Sequence, residues 1–432
     1  MKKKLIFCIV FSFYLGFFSF VFSCDDSGDN TADEAPKSVP MTNPQQIFDY
    51  LKGKKAVTNG WADLANNGDG MAYANPQNLT LIDDSFLTPK EKREAFTGAI
   101  DNNNPKFVIV SGDIDLSDGR ISDDDKSYFD QFGPAPQYRR TNGDIVFNIG
   151  SNTTIIGINA RLMFGALIIK NGSNNIIIRN ITFWDAHGST AQNTAFFPDS
   201  KASATSLQID NAPGGSAIWI DHCKFTDGLC SDLIRNYNHD GSFDIKYGSF
   251  ITVSWNEFTN HDKVMLVGSS DETRPDRLNY LDPAERQITL HHNYFHGVTQ
   301  RMPRTRGAQI HIYNNYYNNI GVLGNNGYAM GPGINAQFIV ENNYFGNIRD
   351  SNGGVKGRIV DWYDNDNYPA VLCAPHGNSA RGEILDYIMP SYYDRTWGLK
   401  PWEPAYSYNL KPANNLPELI SANAGPVMKS IY

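Results

Sequence analysis

Three guanidiniums fall within six residues in Gln300-Arg301-Met302-Pro303-Arg304-Thr305-Arg306-Gly307. A guanidinium is planar, effectively always charged and forked to grip a carboxylate through two hydrogen bonds. Three held together repel one another, so the cluster asks for an anionic partner. A solvated basic turn is the competing explanation for any such triplet. Here Pro303 and Gly307 shape the backbone in a way a floppy surface loop would not require. Strand-like segments also flank the cluster, at 288–295 before it and 309–317 after it. Charges held between ordered strands read as a site.

The rest of the chain does not supply general positive charge. Lys plus Arg number 37 against 46 Asp plus Glu, a net charge of −9 and a pI near 5.5. That balance excludes a general nucleic-acid binder, which needs a basic face. An anionic ligand must then meet local positive charge or a bound cation. Apolar residues at 41% and aromatics at 12% are ample for a core, and 37 glycines favour many turns over long helices.

A repeat supplies the elements that must position the cluster. Strand-like runs begin at 106–112, 153–157 and 166–170, and then a motif recurs: an apolar run, a polar residue, and an aromatic two positions later. It occupies 176–183, 217–225, 251–258, 288–295, 310–317 and 338–345. The later four share Asn256, Asn293, Asn315 and Asn343, and 22 residues separate Phe295 from Tyr317. A recurring Asn and aromatic at this period indicate a parallel β-helix in which like residues of successive coils stack. Each inward Asn can bond the backbone of adjacent coils and satisfy groups the solenoid buries. A β-sandwich would want two-residue Asn-Gly or Asp-Gly turns between the runs, and few are present. Residues 43–51 read as a short helix with an Asn N-cap and Pro at its first position. Beyond residue 350 the repeat fades into a Pro- and Tyr-rich tail expected to pack irregularly across the outside.

Residues 1–24 read as an export signal: Lys2, Lys3 and Lys4, an almost wholly apolar stretch from Leu5 to Phe22, then Ser23-Cys24. This resembles a bacterial lipobox, with Cys24 as the lipidated first residue of the mature protein. The acidic run after it resembles a surface-export signal of Gram-negative lipoproteins. An ordinary cleaved signal or an uncleaved anchor are the alternatives. Residues 25–40 lack apolar bulk and form a flexible tether, leaving 41–432 as the folded domain. The protein is expected to be secreted to the outer membrane or cell surface, to touch the membrane only through its lipid, and to act as a monomer. Of the mature cysteines, Cys223, Cys230 and Cys373 allow one disulfide and one free thiol.

Four segments stand together: Trp219-Ile-Asp-His-Cys223, His239-Asp-Gly-Ser-Phe-Asp-Ile245, Ile251-Thr-Val-Ser-Trp-Asn-Glu-Phe-Thr-Asn-His-Asp-Lys263 and Gln300 to Gly307. In this order they resemble the pectate lyase family of polysaccharide lyases over about residues 106–345. The resemblance implies an all-β, right-handed, single-stranded parallel β-helix. It implies calcium-dependent β-elimination of de-esterified homogalacturonan (polygalacturonate) to 4,5-unsaturated oligogalacturonides. Arg301 matches the family's proton-abstracting base, Lys263 and Arg306 match residues that bind substrate carboxylates, and Asp240 and Asp244 match two calcium ligands.

The chemistry asks for such a set. Removing the C5 proton beside a uronate carboxylate is opposed by that group's charge, which gripping cations offset. Calcium takes six to eight oxygens and bridges an anionic protein to an anionic sugar. Guanidinium has a reference pKa near 12.5 or above, so an arginine acts as a base only where neighbouring cations and desolvation reduce its proton affinity. An alkaline optimum follows. Four residues of extended strand span roughly 13 Å, whereas two oxygens on one calcium lie within about 5 Å. Asp240 and Asp244 therefore share a metal only if the backbone bends between them, and Gly241 is placed to allow it. Turn capping is the other use for the pair. Where the family commonly has a further calcium-binding Asp, this chain has Thr205. Asp199 could reach in, Thr205 could contribute weakly, or calcium binds mainly with substrate. His222, His291, His292 and His311 read as satisfied solenoid histidines, His261 as orienting the site, Asp221 as structural and Arg304 as holding the loop.

Other classes remain. A calcium-independent pectin lyase shares the fold but lacks the acidic pair. A polygalacturonase needs paired catalytic carboxylates and has no use for the arginines. A non-catalytic glycan-binding β-helix lipoprotein could keep the basic groove, although loss of Arg301 or Lys263 would then be expected.

Overall fold

The apolar runs pair in register, one coil on the next. In the computed structural model, strand Ile251–Ser254 lies between Ile218–Asp221 and Gln287–His291, and the row continues through Gln309–Tyr313, Gln337–Glu341 and Val371–Cys373, all parallel. A second row runs from Lys224–Thr226 through Glu257–Lys263, Tyr294–Gln300 and Tyr316–Asn318 to Tyr344–Phe345 and Ser379–Ala380. Strand Ile176–Trp184 joins both rows into one 16-stranded sheet. An eight-stranded sheet closes the coil, in the order Val146–Ile149, Ala166–Lys170, Leu207–Asp210, Phe243–Tyr247, Leu266–Val267, Arg304–Thr305, Tyr328–Pro332 and Arg358–Val360. The fold is a right-handed parallel β-helix. The structure describes residues 42–86, 88–119, 145–170, 172–186, 205–210, 216–228, 240–268, 281–321, 327–349, 358–374, 377–380 and 400–426. The signal segment, the tether, Cys24, Asp199, Cys230 and His239 lie outside them.

In-register parallel coils put like residues one strand spacing apart, about 4.8 Å. The interior aromatic column shows this: Phe183, Phe225, Phe258, Phe295, Tyr317 and Phe345 stack with successive centroid separations of 4.7, 4.9, 5.0, 4.9 and 4.8 Å. Beside it runs the Asn column. Each side-chain oxygen accepts from the backbone N–H and the side-chain amide of the previous Asn, from Asn256 to Asn293 to Asn315 to Asn343, at 2.9–3.1 Å. The column extends one coil beyond the fading of the repeat, to Asn378, and begins at the Cys223 N–H, which donates to Asn256. The residue before each of these positions occupies the left-handed region: His222, Trp255, His292, Asn314 and Asn342 have φ of 48–54°. A left-handed residue followed by a buried amide is thus the corner between the two rows. Such a conformation is costly for His or Trp, and the stacking of His222, Trp255 and His292 at 5.7 and 4.4 Å accompanies it.

Helix Pro44–Leu51 is capped by the Asn43 side chain, which accepts from the Gln46 N–H. A second helix, Pro89–Ile100, is capped by Thr88, whose hydroxyl accepts from the Glu91 N–H and donates to the Glu91 carboxylate, and adds Phe96 and Ile100 to the core at the first coil. In the C-terminal segment, Tyr406 bonds Thr289 and His311, and Asn409 accepts from Asn314. Its α-helix, Leu416–Asn423, seats Leu416 and Ile420 on Trp255, Tyr294, Tyr316 and Tyr344. Of the expected external tail, the described residues 400–426 pack across the outside, whereas strands at 358–360, 371–373 and 379–380 add a further coil instead.

Candidate active site

Alternation in the eight-stranded sheet decides which side chains face out. Phe243 and Ile245 are fully buried in the core, so Asp244 between them points away from it. Val267 and Thr305 point in, which turns Leu266 and Arg304 to the same outer face. Three neighbouring coils supply this face. Gly241 bridges to Lys263, and Lys263 pairs with Gln300, the residue before Arg301. The Met265 N–H donates to the Arg301 carbonyl at 2.8 Å, and the Arg306 N–H donates to Val267 at 2.9 Å. Asp240, Asp244, Lys263, Arg301 and Arg306 are thereby brought onto adjacent rungs.

Lys263 Nζ stands 3.5 Å from Asp240 Oδ1. Asp244 is buried and accepts from the Thr205 hydroxyl at 3.1 Å and from the Leu266 N–H at 3.0 Å. Burial pushes its carboxyl up to about 6, with the Asp240 charge adding to the rise, while the Leu266 and Thr205 donors and the Arg301 charge oppose it. The backbone bends at Asp240 and Ser242, between the two carboxylates. Gly241 permits this by room rather than by an unusual φ. A Cβ there would lie 2.7 Å from the Asp244 carboxyl carbon, inside any tolerable contact.

The donor set suits a hard cation. Asp240, Asp244 and Thr205 offer oxygen only, and a half-desolvated carboxylate pair gains from a divalent neighbour. Among the described residues no three acidic, His or Cys side chains gather as a potential metal cage. The described residues offer two carboxylates and a hydroxyl here, short of the six to eight oxygens that calcium takes.

Arg301 sits in the left-handed region at φ 66°, ahead of the cis Met302–Pro303 peptide, with its Nε buried and lacking a hydrogen-bond partner. Arg304 lays its guanidinium over the Tyr363 ring at 3.8 Å, a contact that holds the loop. Arg306 is largely buried. His261 lies beneath. Its Nδ1 meets Asp227 Oδ1 at 2.5 Å and its Nε2 meets the carbonyls of Lys263 and Asp240 at 3.0 and 3.3 Å. Sequence reasoning reached His261 only as a neighbour of Lys263; Asp227, which holds it, carried no local signal.

The remaining candidates are structural. Asp221 is buried against Arg179 Nη2 at 2.6 Å, His222 and Ser254. Those partners outweigh the desolvation that would raise its carboxyl, and hold it well below the usual carboxylate range. His291 donates to the Thr58 carbonyl, and His311 lies between Glu341 and Tyr406. Cys223 and Cys373 are buried free thiols.

The fold and this outer face define the class: a right-handed parallel β-helix bearing a mixed cationic and carboxylate surface, the architecture of polysaccharide lyases. The chain belongs to the pectate lyase family, whose model, described as pectate lyase, matches residues 50–428. It is therefore an enzyme of that family, a carbon–oxygen lyase acting on polysaccharides. Pectate lyase D of Dickeya chrysanthemi is 31% identical over 87% of this chain and 90% of its own. A Bacillus subtilis pectate lyase is 30% identical over 66% of this chain and 74% of its own. A pectate trisaccharide-lyase of Thermotoga maritima is 39% identical over 42% and 47%. Among solved structures, a pectate lyase bound to hexasaccharide superposes with a TM-score of 0.62 at 23% identity, over 88% of this chain and all of that one.

Proposed function

We propose that the protein cleaves de-esterified homogalacturonan by calcium-assisted β-elimination. The observation that carries this reading is the convergence of an acidic pair, Lys263 and Arg301 from three successive coils onto one face. Lys263 and Arg306 grip uronate carboxylates and offset the charge that opposes carbanion formation. Asp240 and Asp244 would hold calcium, which when bound adds positive charge at a substrate carboxylate. Arg301 takes the C5 proton. The C–H electron pair becomes the C4–C5 double bond, the C4–O bond breaks, and the departing oxygen takes a proton from solvent. The product is a 4,5-unsaturated uronide at the new non-reducing end. Attachment at a bacterial surface through Cys24 belongs to the same proposal, supported by the order of residues 1–29; incorporation of labelled fatty acid, absent from Cys24→Ser, is its test.

The enzymatic test is ultraviolet absorbance of the conjugated product on polygalacturonate, with and without a chelator. Absorbance that calcium restores and Arg301→Lys abolishes is the expected result. A rise indifferent to chelation would move the reading to a pectin lyase, with Thr205 as its mark, and no rise on either polygalacturonate or methylated pectin would overturn it.

A further inference from the structure

Tyr317 is the one phenol in the described interior column, between Phe295 and Phe345. Its neighbours are hydrocarbon, so its fully buried hydroxyl must find an acceptor inside the coil or forfeit a hydrogen bond. It donates to the Met302 carbonyl at 3.3 Å. Met302 is itself fully buried, follows Arg301 directly, and precedes a proline that has no N–H to offer. The same short stretch is held at two further points: the Met302 N–H donates to Ala329 at 2.7 Å, and the Arg301 carbonyl accepts from Met265 at 2.8 Å. Arg301 is a non-glycine residue at φ 66°. Such a conformation persists only where its surroundings over-determine it.

We propose that Tyr317 is a positioning residue for catalysis: from inside the coil, its hydroxyl fixes the Met302–Pro303 peptide, one residue beyond Arg301, and so aims the guanidinium at the outer face. This explains why a phenol stands at the rung that faces the turn, where the described rungs on either side carry phenylalanine. The inference rests on Arg301 being the base. A small misplacement of a reacting group costs rate more than binding.

The experiment is steady-state kinetics of Tyr317→Phe beside Arg301→Lys, both in the full chain on polygalacturonate. Phenylalanine already fits adjoining rungs, so packing is retained. Loss of one neutral hydrogen bond at the turn should lower kcat about five- to tenfold, with KM, calcium requirement and the shape of the pH–rate profile unchanged. An inactive Arg301→Lys beside a Tyr317→Phe with unchanged kcat, whatever its melting temperature, would overturn the positioning role alone. Activity that survives Arg301→Lys would overturn the base assignment and this inference with it.

Discussion

Asp244 shows how neighbouring donors and close packing fix a buried carboxylate at the candidate site. Its two oxygens are engaged by Thr205 and Leu266, and its carboxylate folds onto Gly241. Gly241→Ala would force that carboxylate away. The expected result is roughly a tenfold rise in the calcium concentration giving half-maximal activity, the size of effect seen when the support of a metal ligand is disturbed. Calcium titration of activity checks it, with the circular dichroism spectrum unchanged. Thr205→Asp moves the opposite way. A third carboxylate beside Asp244 should lower the calcium requirement by a similar factor, and isothermal titration with calcium alone reads the change directly.

The coil is the element that carries the site, and its corners are where it is most exposed to damage. Asn315 accepts from the Asn293 N–H and side-chain amide, and donates to the Leu290, Tyr313 and Asn343 oxygens. In Asn315→Leu the buried Asn293 N–H and the Leu290 carbonyl each lose a partner, while the Asn293 side-chain amide keeps Val253. Each stranded group costs about 1–3 kcal/mol, so the variant should lose on the order of 4 kcal/mol of stability. Urea denaturation measures this. A loss under about 1 kcal/mol would mean that water replaces the amide and that the column is not a continuous buried ladder. The Asn repeat was legible because a solenoid repeats its chemistry along the chain. The left-handed residue before it was not, since His222, Trp255 and His292 give no hint of that conformation.

Taken whole, the molecule buries histidines between the coil and segments from both termini. His291 donates through Nε2 to Thr58, and its Nδ1 faces Nδ1 of His292, whose Nε2 lies 3.3 Å from the Asn314 amide. In this chain each imidazole is neutral. Burial moves His291 down to about 4 from 6.5, and lowers His292 and His311 as well. The unfolded chain binds protons at these sites below pH 6.5 while the folded chain does not, so stability falls with pH from about 6.5 towards 4. His291 alone accounts for about 3 kcal/mol at the low end of that window. His261 acts oppositely, since Asp227 raises it despite its burial, and its stabilisation is fully present below the unfolded value. Three lowered histidines outweigh His261 and the raised Asp244 carboxyl, which gains a proton in the same window, and predict a melting temperature that drops between pH 7 and 4.5. His291→Gln should flatten that dependence, and an unchanged slope would show that other groups control acid unfolding.

The amino-acid sequence alone determined the coil, its aromatic and Asn columns, the helix at 44–51 and the arginine pattern. These are local or periodic properties, and a repeat announces them each time round. The candidate site residues Asp240, Asp244, Lys263, Arg301 and Arg306 were each nameable by resemblance to pectate lyases. Their convergence was not, because insertions of varying length separate the coils and only strand register brings one rung beside the next. Tertiary structure also decided that Thr205 serves the Asp244 carboxylate, that Asp227 and His261 support the site from beneath, and that a phenol in the core reaches the turn after Arg301. Each is a contact between residues far apart in the chain, made by packing and hydrogen bonding across coils, and no spacing along one strand encodes it.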